Sequence, residues 1–227
     1  MNQAQWGVFV EAEGKVHVIE LISGVRKIKG LGVLDALETL SKINYGEEVL
    51  VGQKVLTRVP LRLPELSKGM LRRAQTISAK DAGFITSRMG IGPNDRILEA
   101  GIGSGGLSMY LARILGNSGI HVTVEPRSEH ADVALENMRR AKESWSEFPN
   151  HHHIEGAVEE VVEQIRDFSE EFDGIILDLP EHPSAINAVS PLLSVGGRLV
   201  CYCPVTSQLE AAWIACEQAG LEIEWAG

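Results

Sequence analysis

RILEAGIGSGGLSMYLARIL, residues 96–115, sets four glycines between two apolar runs of different period. The first run ends at Glu99-Ala100 and has the length of a strand, while Leu107, Tyr110, Leu111 and Leu115 recur at the three- and four-residue spacing of one helical face. Gly101, Gly103, Gly105 and Gly106 at the junction permit a tight turn and close approach to the backbone, and the helix that follows offers free N–H donors at its start. Downstream the alternation continues. IHVTVE (120–125) precedes HADVALENMRRAKE (130–143), HHHIE (151–155) precedes VEEVVEQIRDF (158–168), and FDGIILDL (172–179) precedes SAINAVSPLL (184–193). GRLVCYC (197–203) is followed by TSQLEAAWIACEQAG (206–220) and then LEIEW (221–225), which reads as a sixth strand at which the sequence stops. Strands alternating with helices define an α/β domain with a doubly wound, mostly parallel sheet.

Upstream of residue 60 the pattern is different. WGVFVEA (6–12), a Glu13-Gly14 turn, KVHVIELI (15–22), EEVLVG (47–52) and KVLTRV (54–59) read as hairpins of a small antiparallel β domain, with VLDALETLSK (33–42) as a helical interruption. LRLPELSKGMLRR (61–73) carries Pro64 and basic residues and reads as a linker or surface segment. The expected division is a small β-rich domain over 1–66 and an α/β domain over 67–227.

Composition agrees with a globular protein: 227 residues, 44% hydrophobic and 23% charged. No apolar run approaches the roughly 18 residues of a membrane span, and the start MNQAQWGVFV lacks a basic segment followed by an apolar one, so a cytoplasmic protein without membrane contact is expected. Cys201, Cys203 and Cys216 match neither a disulfide framework nor a metal-binding spacing and read as reduced core residues. His151, His152 and His153 read as loop or strand-start residues, because neighbours in an extended chain point to opposite faces, and no metal is expected.

The net charge of −10 argues against a polyanion partner until its distribution is considered. Residues 1–90 hold thirteen lysines and arginines against nine acids, and between Lys54 and Arg88 eight basic residues face only Glu65 and Asp81. Such asymmetry points to a polyanion-facing surface.

Two carboxylates complete the candidate site. Glu125 ends the strand after the glycine turn, where it can accept two hydrogen bonds from a ribose diol. Asp178 ends the apolar strand FDGIILD, at the carboxyl edge where doubly wound sheets bind ligands. Gly101, Gly103 and Gly106 also fit the dinucleotide pattern, so these residues alone leave a dinucleotide and S-adenosylmethionine both open.

The turn Glu-Ala-Gly-x-Gly-Ser-Gly, the upstream RRAQTISAKDAGFI, and the downstream DLPEHPSAI and YCPVTSQLE, taken together, resemble the tRNA (adenine-N1) methyltransferases that act on the T-loop. The resemblance runs from about Leu71 to Leu221. It implies a class I, Rossmann-like methyltransferase domain behind a small N-terminal β domain, S-adenosyl-L-methionine as cofactor, tRNA as substrate and a homotetramer. By resemblance, Ser104, Gly105, Gly106 and Leu107 touch the methionine part of the cofactor, and Gly101 and Gly103 shape the turn. Glu125 holds the ribose, His130 lines the site, Gln75 lies in the covering segment, and Asp178 is the catalytic carboxylate beside cofactor and base. Arg72, Arg73 and Lys80 in the basic segment are the expected tRNA contacts.

Three departures from the family bear on base recognition. Ser78-Ala79-Lys80-Asp81 stands where an aromatic residue or His usually precedes Pro-Lys-Asp, Gly156-Ala157 replaces an acid near the cofactor adenine, and DLPEHPS lacks the usual aromatic. Ser78 with Asp81 three residues on predicts a helix N-cap. Three rival functions follow from the same residues. A non-catalytic tRNA-binding subunit of the same fold would be expected to lose the glycine turn or Asp178, and both are present. A class I methyltransferase for a small molecule or protein is the second. An NAD-dependent enzyme is the third, and it leaves Asp-Leu-Pro and Tyr202-Cys203-Pro204 without a role.

Overall fold

The structure, a computed structural model, describes residues 6–227; the first five residues, part of the stretch searched for a leader, lie outside them. The chain forms two compact units, one running to Leu71 and including Glu136–Ser146, the other made of Arg72–Leu135 and Glu147–Gly227.

In the first unit β1 (Trp6–Glu11), β2 (Val16–Glu20), β3 (Val25–Ile28), β4 (Gly32–Asp35), α1 (Ala36–Leu40), β5 (Glu48–Val51), β6 (Lys54–Val59) and α2 (Leu63–Gly69) follow in order. Strands β2, β1, β6 and β5 form one antiparallel sheet, as the alternating apolar pattern predicts. Phe9, Ile19, Leu40 and Leu56 are buried together on its inner face. Two expectations are corrected here. The helix expected over 33–42 shrinks to α1, because Val33–Asp35 pair with β3 in a hairpin. Asp35 fixes the switch: its carboxylate accepts the Glu38 N–H at 3.0 Å and the Gly24 N–H at 2.7 Å. The segment expected as a linker instead forms α2, with Pro64 in its first turn and Leu66 fully buried.

The second unit carries α3 (Ala79–Met89), β7 (Arg96–Ala100), α4 (Gly106–Leu115), β8 (Ile120–Glu125), α5 (Ser128–Ser144, its latter half in the first unit), β9 (Asn150–Glu155), α6 (Val162–Arg166), β10 (Phe172–Leu177), α7 (Pro183–Val189), β11 (Leu193–Cys201) and α8 (Thr206–Gln218). Its five strands are parallel, in the order β11, β10, β7, β8, β9. Neighbouring strand residues bury toward opposite faces. Ile97 and Ile176 pack with Leu107, Leu111, Ile85 and Met89 from α4 and α3, while Leu98, Ile175 and Leu177 pack with Ile165, Ile186 and Ala212 from α6, α7 and α8. The sheet is therefore covered on both sides, which is why its strands read as continuous apolar runs.

The sixth strand is not formed. Residues 221–227 are irregular. Gly220 closes α8 in the left-handed region, and the Trp225 ring then settles 4.8 Å from Phe84, with the Arg88 guanidinium 5.3 Å from its centroid. His151–His153 lie in the first part of β9, the strand-start alternative of the two expected. His151 Nε2 and His153 Nδ1 each stand 3.0 Å from Thr123 Oγ1, and the His152 ring stacks on Phe168 at 4.1 Å. The three cysteines are free and half-buried against the core formed with α8.

Candidate active site

At the carboxyl ends of β7 and β10 the two strand exits nearly touch. The Asp178 N–H donates to the Ala100 carbonyl at 2.9 Å, and Gly101, with φ of 89°, presses so close that a Cβ there would stand 2.1 Å from the Asp178 carbonyl oxygen. Only glycine fits, since both the left-handed backbone and the missing side chain are required. Gly101 and Gly103 expose their backbone in a small cavity also walled by Gln75, Glu99, Ser104, Gly106, Leu107 and Asp178. Gly105 caps the start of α4 at φ of 76°, so the first turn of that helix opens toward the same place.

Seven of the expected site residues thus gather around one cavity: Gln75, Gly101, Gly103, Ser104, Gly106, Leu107 and Asp178. Ser104 arrives in an unexpected way. Its buried hydroxyl accepts the Arg73 and Ala74 N–H groups, each at 3.0 Å, and so pins the segment that carries Gln75. Glu125, fully buried at the tip of β8, joins through the turn: Oε2 accepts the Gly103 N–H at 3.2 Å, and Arg127 donates from Nε to Oε1 at 2.7 Å. Burial alone would raise its pKa, but the Arg127 guanidinium and the two backbone N–H groups outweigh that and hold the carboxyl below its usual range. His130, in the first turn of α5, does not line this cavity; its Nδ1 is buried without a hydrogen-bond partner among the described residues.

Asp178 is half-buried, and its pKa is pushed up to about 6, first by burial and also by the neighbouring Glu125 carboxylate, with Arg127 opposing. It therefore ionises close to neutral pH, in a position to respond to a cation.

Two site residues were missed in the sequence. Arg127 sits two residues past Glu125 and orients its carboxylate. Glu99 lines the cavity from the end of β7. Its signal was available, since it is an acid in an otherwise apolar strand, the same argument that singles out Asp178.

The basic segment divides into structural and exposed residues. Arg58 is buried, donates to the carbonyls of Ser41 and Ile43, and stands over the Tyr45 ring, while Lys54 pairs with Glu11 at 2.8 Å; both serve the fold. Lys80 is almost fully exposed at the start of α3, where Ser78 caps the helix as expected by accepting the Asp81 N–H at 3.2 Å. Arg73, half-exposed, reaches Glu129 at 2.8 Å, and Arg72 precedes it on the surface.

A doubly wound parallel sheet, a glycine turn after its first strand and a carboxylate at the tip of the next define a Rossmann-like nucleotide-binding fold. Solved structures agree on that fold. A SAM-dependent O-methyltransferase from Thermotoga maritima superposes with a TM-score of 0.75 at 24% identity over 96% of this chain and 78% of that one. The tRNA (m1A58) methyltransferase TrmI from Aquifex aeolicus gives 0.67 at 19% identity over 96% and 82%. The chain belongs to the GCD14 family, whose model, described as the tRNA methyltransferase complex GCD14 subunit, matches residues 59–224. Among relatives, the tRNA (adenine(57)-N(1)/adenine(58)-N(1))-methyltransferase TrmI of Methanocaldococcus jannaschii is 34% identical over 163 residues, 64% of this chain and 58% of its own length. The tRNA (adenine(58)-N(1))-methyltransferase TrmI of Thermus thermophilus is 30% identical over 168 residues, 74% and 60%. The chain thus spans about three fifths of the length of these relatives.

Proposed function

We propose that this chain transfers a methyl group from S-adenosyl-L-methionine to N1 of a T-loop adenine in tRNA, at position 58 with or without 57. It would do so in the cytoplasm as a homo-oligomer, by resemblance a tetramer, with residues 1–66 as its β-rich domain and 67–227 as its methyltransferase domain. The observation that carries the proposal is the Asp178 carboxylate at the mouth of the glycine turn, in a chain whose family is one of tRNA methyltransferases.

The residues present suit the cofactor. Gly101 and Gly103 leave the backbone open, the buried Glu125 carboxylate stands beside the turn under Arg127, which would give way for it to accept from a diol, and two further carboxyls, Glu99 and Asp178, suit a cation. When bound, S-adenosylmethionine supplies an electrophilic methyl group on a sulfonium. Gln75, Gly105, Gly106, Leu107 and His130 belong to the proposed cofactor site, with Ser104 holding the Gln75 segment in place. Adenine N1 already carries a lone pair at neutral pH, so positioning is the main task of the site. Methylation leaves the adenine cationic, and an ionised Asp178 beside the exocyclic amine opposes that charge as it develops and can accept the amine proton. Arg72, Arg73 and Lys80 face tRNA phosphates, whose neutralisation offsets the few kcal/mol needed to extrude a stacked base.

Paired tRNA transcripts that differ only in the T-loop adenine test the proposal. Labelled methyl should pass to the transcript with adenine and not to the one in which guanine replaces it; equal labelling of both would overturn the base assignment.

A further inference from the structure

Glu99 is a second carboxyl in the pocket, and the transfer step at the adenine makes no use of it. It is 2% exposed and walls the same cavity as Gly101, Gly103 and Asp178. Its Oε2 faces two partners from different elements, Ser108 Oγ of α4 at 2.7 Å and His121 Nε2 of β8 at 2.9 Å. His121 is fully buried and its Nδ1 has no partner among the described residues. An unsatisfied N–H in such a place is rarer than an unsatisfied acceptor, so the ring proton belongs on Nε2, and His121 donates to Glu99. An oxygen that accepts two hydrogen bonds is not the one that carries an acid proton. A proton on Glu99 therefore sits on Oε1, which has no hydrogen bond to any described residue.

The surroundings favour that proton. On β7 itself the neighbours are apolar, α4 contributes the neutral Ser108, and β8 contributes His121, held neutral by burial, with the His151 ring of β9 behind it at 5.2 Å. From β10 comes a like charge, Asp178; the nearby cation, Arg127, is committed to Glu125. Burial pushes the Glu99 carboxyl up to about 8, against the Ser108 hydrogen bond.

We propose that Glu99 stands protonated in the unliganded protein and releases that proton to solvent when S-adenosylmethionine binds, which makes it the residue that couples cofactor affinity to pH. This rests on S-adenosylmethionine being the cofactor. The ligand carries a sulfonium and an ammonium against one carboxylate, and a cation brought beside a neutral acid favours its ionised form. The demethylated product lacks the sulfonium and carries no net charge. Near neutral pH Asp178 is already largely ionised, so Glu99 is the available proton source.

Calorimetric titration of the whole chain near pH 7, in two buffers of different ionisation enthalpy, counts the protons released. About one proton per S-adenosylmethionine is expected, with fewer for the demethylated product, and affinity should rise close to tenfold per pH unit until it levels above about pH 8. Glu99→Gln should bind with no proton release and a flat pH profile, while Ser108→Ala, which removes one donor to Oε2, should move the levelling point to higher pH. Wild-type binding without proton release, or the same release from Glu99→Gln, would overturn the proposal; release lost only in Asp178→Asn would assign the proton to Asp178 instead and overturn it equally. Failure of S-adenosylmethionine to bind at all would overturn the cofactor assignment, a separate result.

Discussion

Asp178 combines two properties seldom found together, a place at the end of a buried strand and an ionisation near neutral pH. If it opposes the charge that develops on the adenine, Asp178→Asn keeps the shape and removes the effect. The methylation step should then slow by about 10²–10³-fold in single-turnover measurements at saturating cofactor and tRNA. The pH dependence has a defined sign. The ionised form is the active one, so the wild-type rate should rise with pH and then level, with the rising limb below about 6 because the bound cation favours the ionised carboxyl, while the variant shows no such limb. At this scale the sequence was informative where chemistry demanded an unusual residue: glycines at a turn, acids at strand ends. It was silent on Arg127 and on the Ser104 hydroxyl, whose roles depend on which backbone folds back to meet them.

Among the elements, α2 tests how far packing overrides composition. Leu66 is fully buried although its segment carries Pro64 and several charges. Leu66→Ala should cost about 2–5 kcal/mol, as other deeply buried leucines do, read from the denaturant midpoint of the first unit's transition. The parallel strands were legible because both faces are buried and the apolar runs are unbroken. The β3–β4 hairpin was not, since VRKI and GVLD are largely exposed and carry little alternation. LEIEW does alternate, yet forms no strand, because Trp225 gains an aromatic and a cationic partner on α3 and Glu224 pairs with Arg198 at 3.1 Å. A pattern of side chains cannot report which competing interaction is stronger.

For the molecule as a whole, two fully buried groups contribute to the pH response of stability in opposite directions. Glu99 has its pKa raised from 4.5 to about 8, so the folded state holds more protons than the unfolded one in that window and stability falls as pH rises through it. His121 is lowered from 6.5 to about 3, so stability also falls as pH drops below 6.5. Denaturant midpoints across pH should therefore peak on the mildly acidic side, and Glu99→Gln should flatten the alkaline fall. Charge also acts at this scale. Removing Arg72 and Arg73 should weaken tRNA binding and reduce its salt slope by about one unit for each phosphate no longer neutralised, with cofactor affinity unchanged, which titrations at several ionic strengths would show.

The most direct measurement is mass spectrometry of nucleosides from tRNA incubated with the protein and isotopically labelled S-adenosylmethionine. The label should appear as 1-methyladenosine from the T-loop, and Asp178→Asn should abolish most of it at early times. Label in any other nucleoside, or none in tRNA while a small molecule or protein is methylated, would contradict the account.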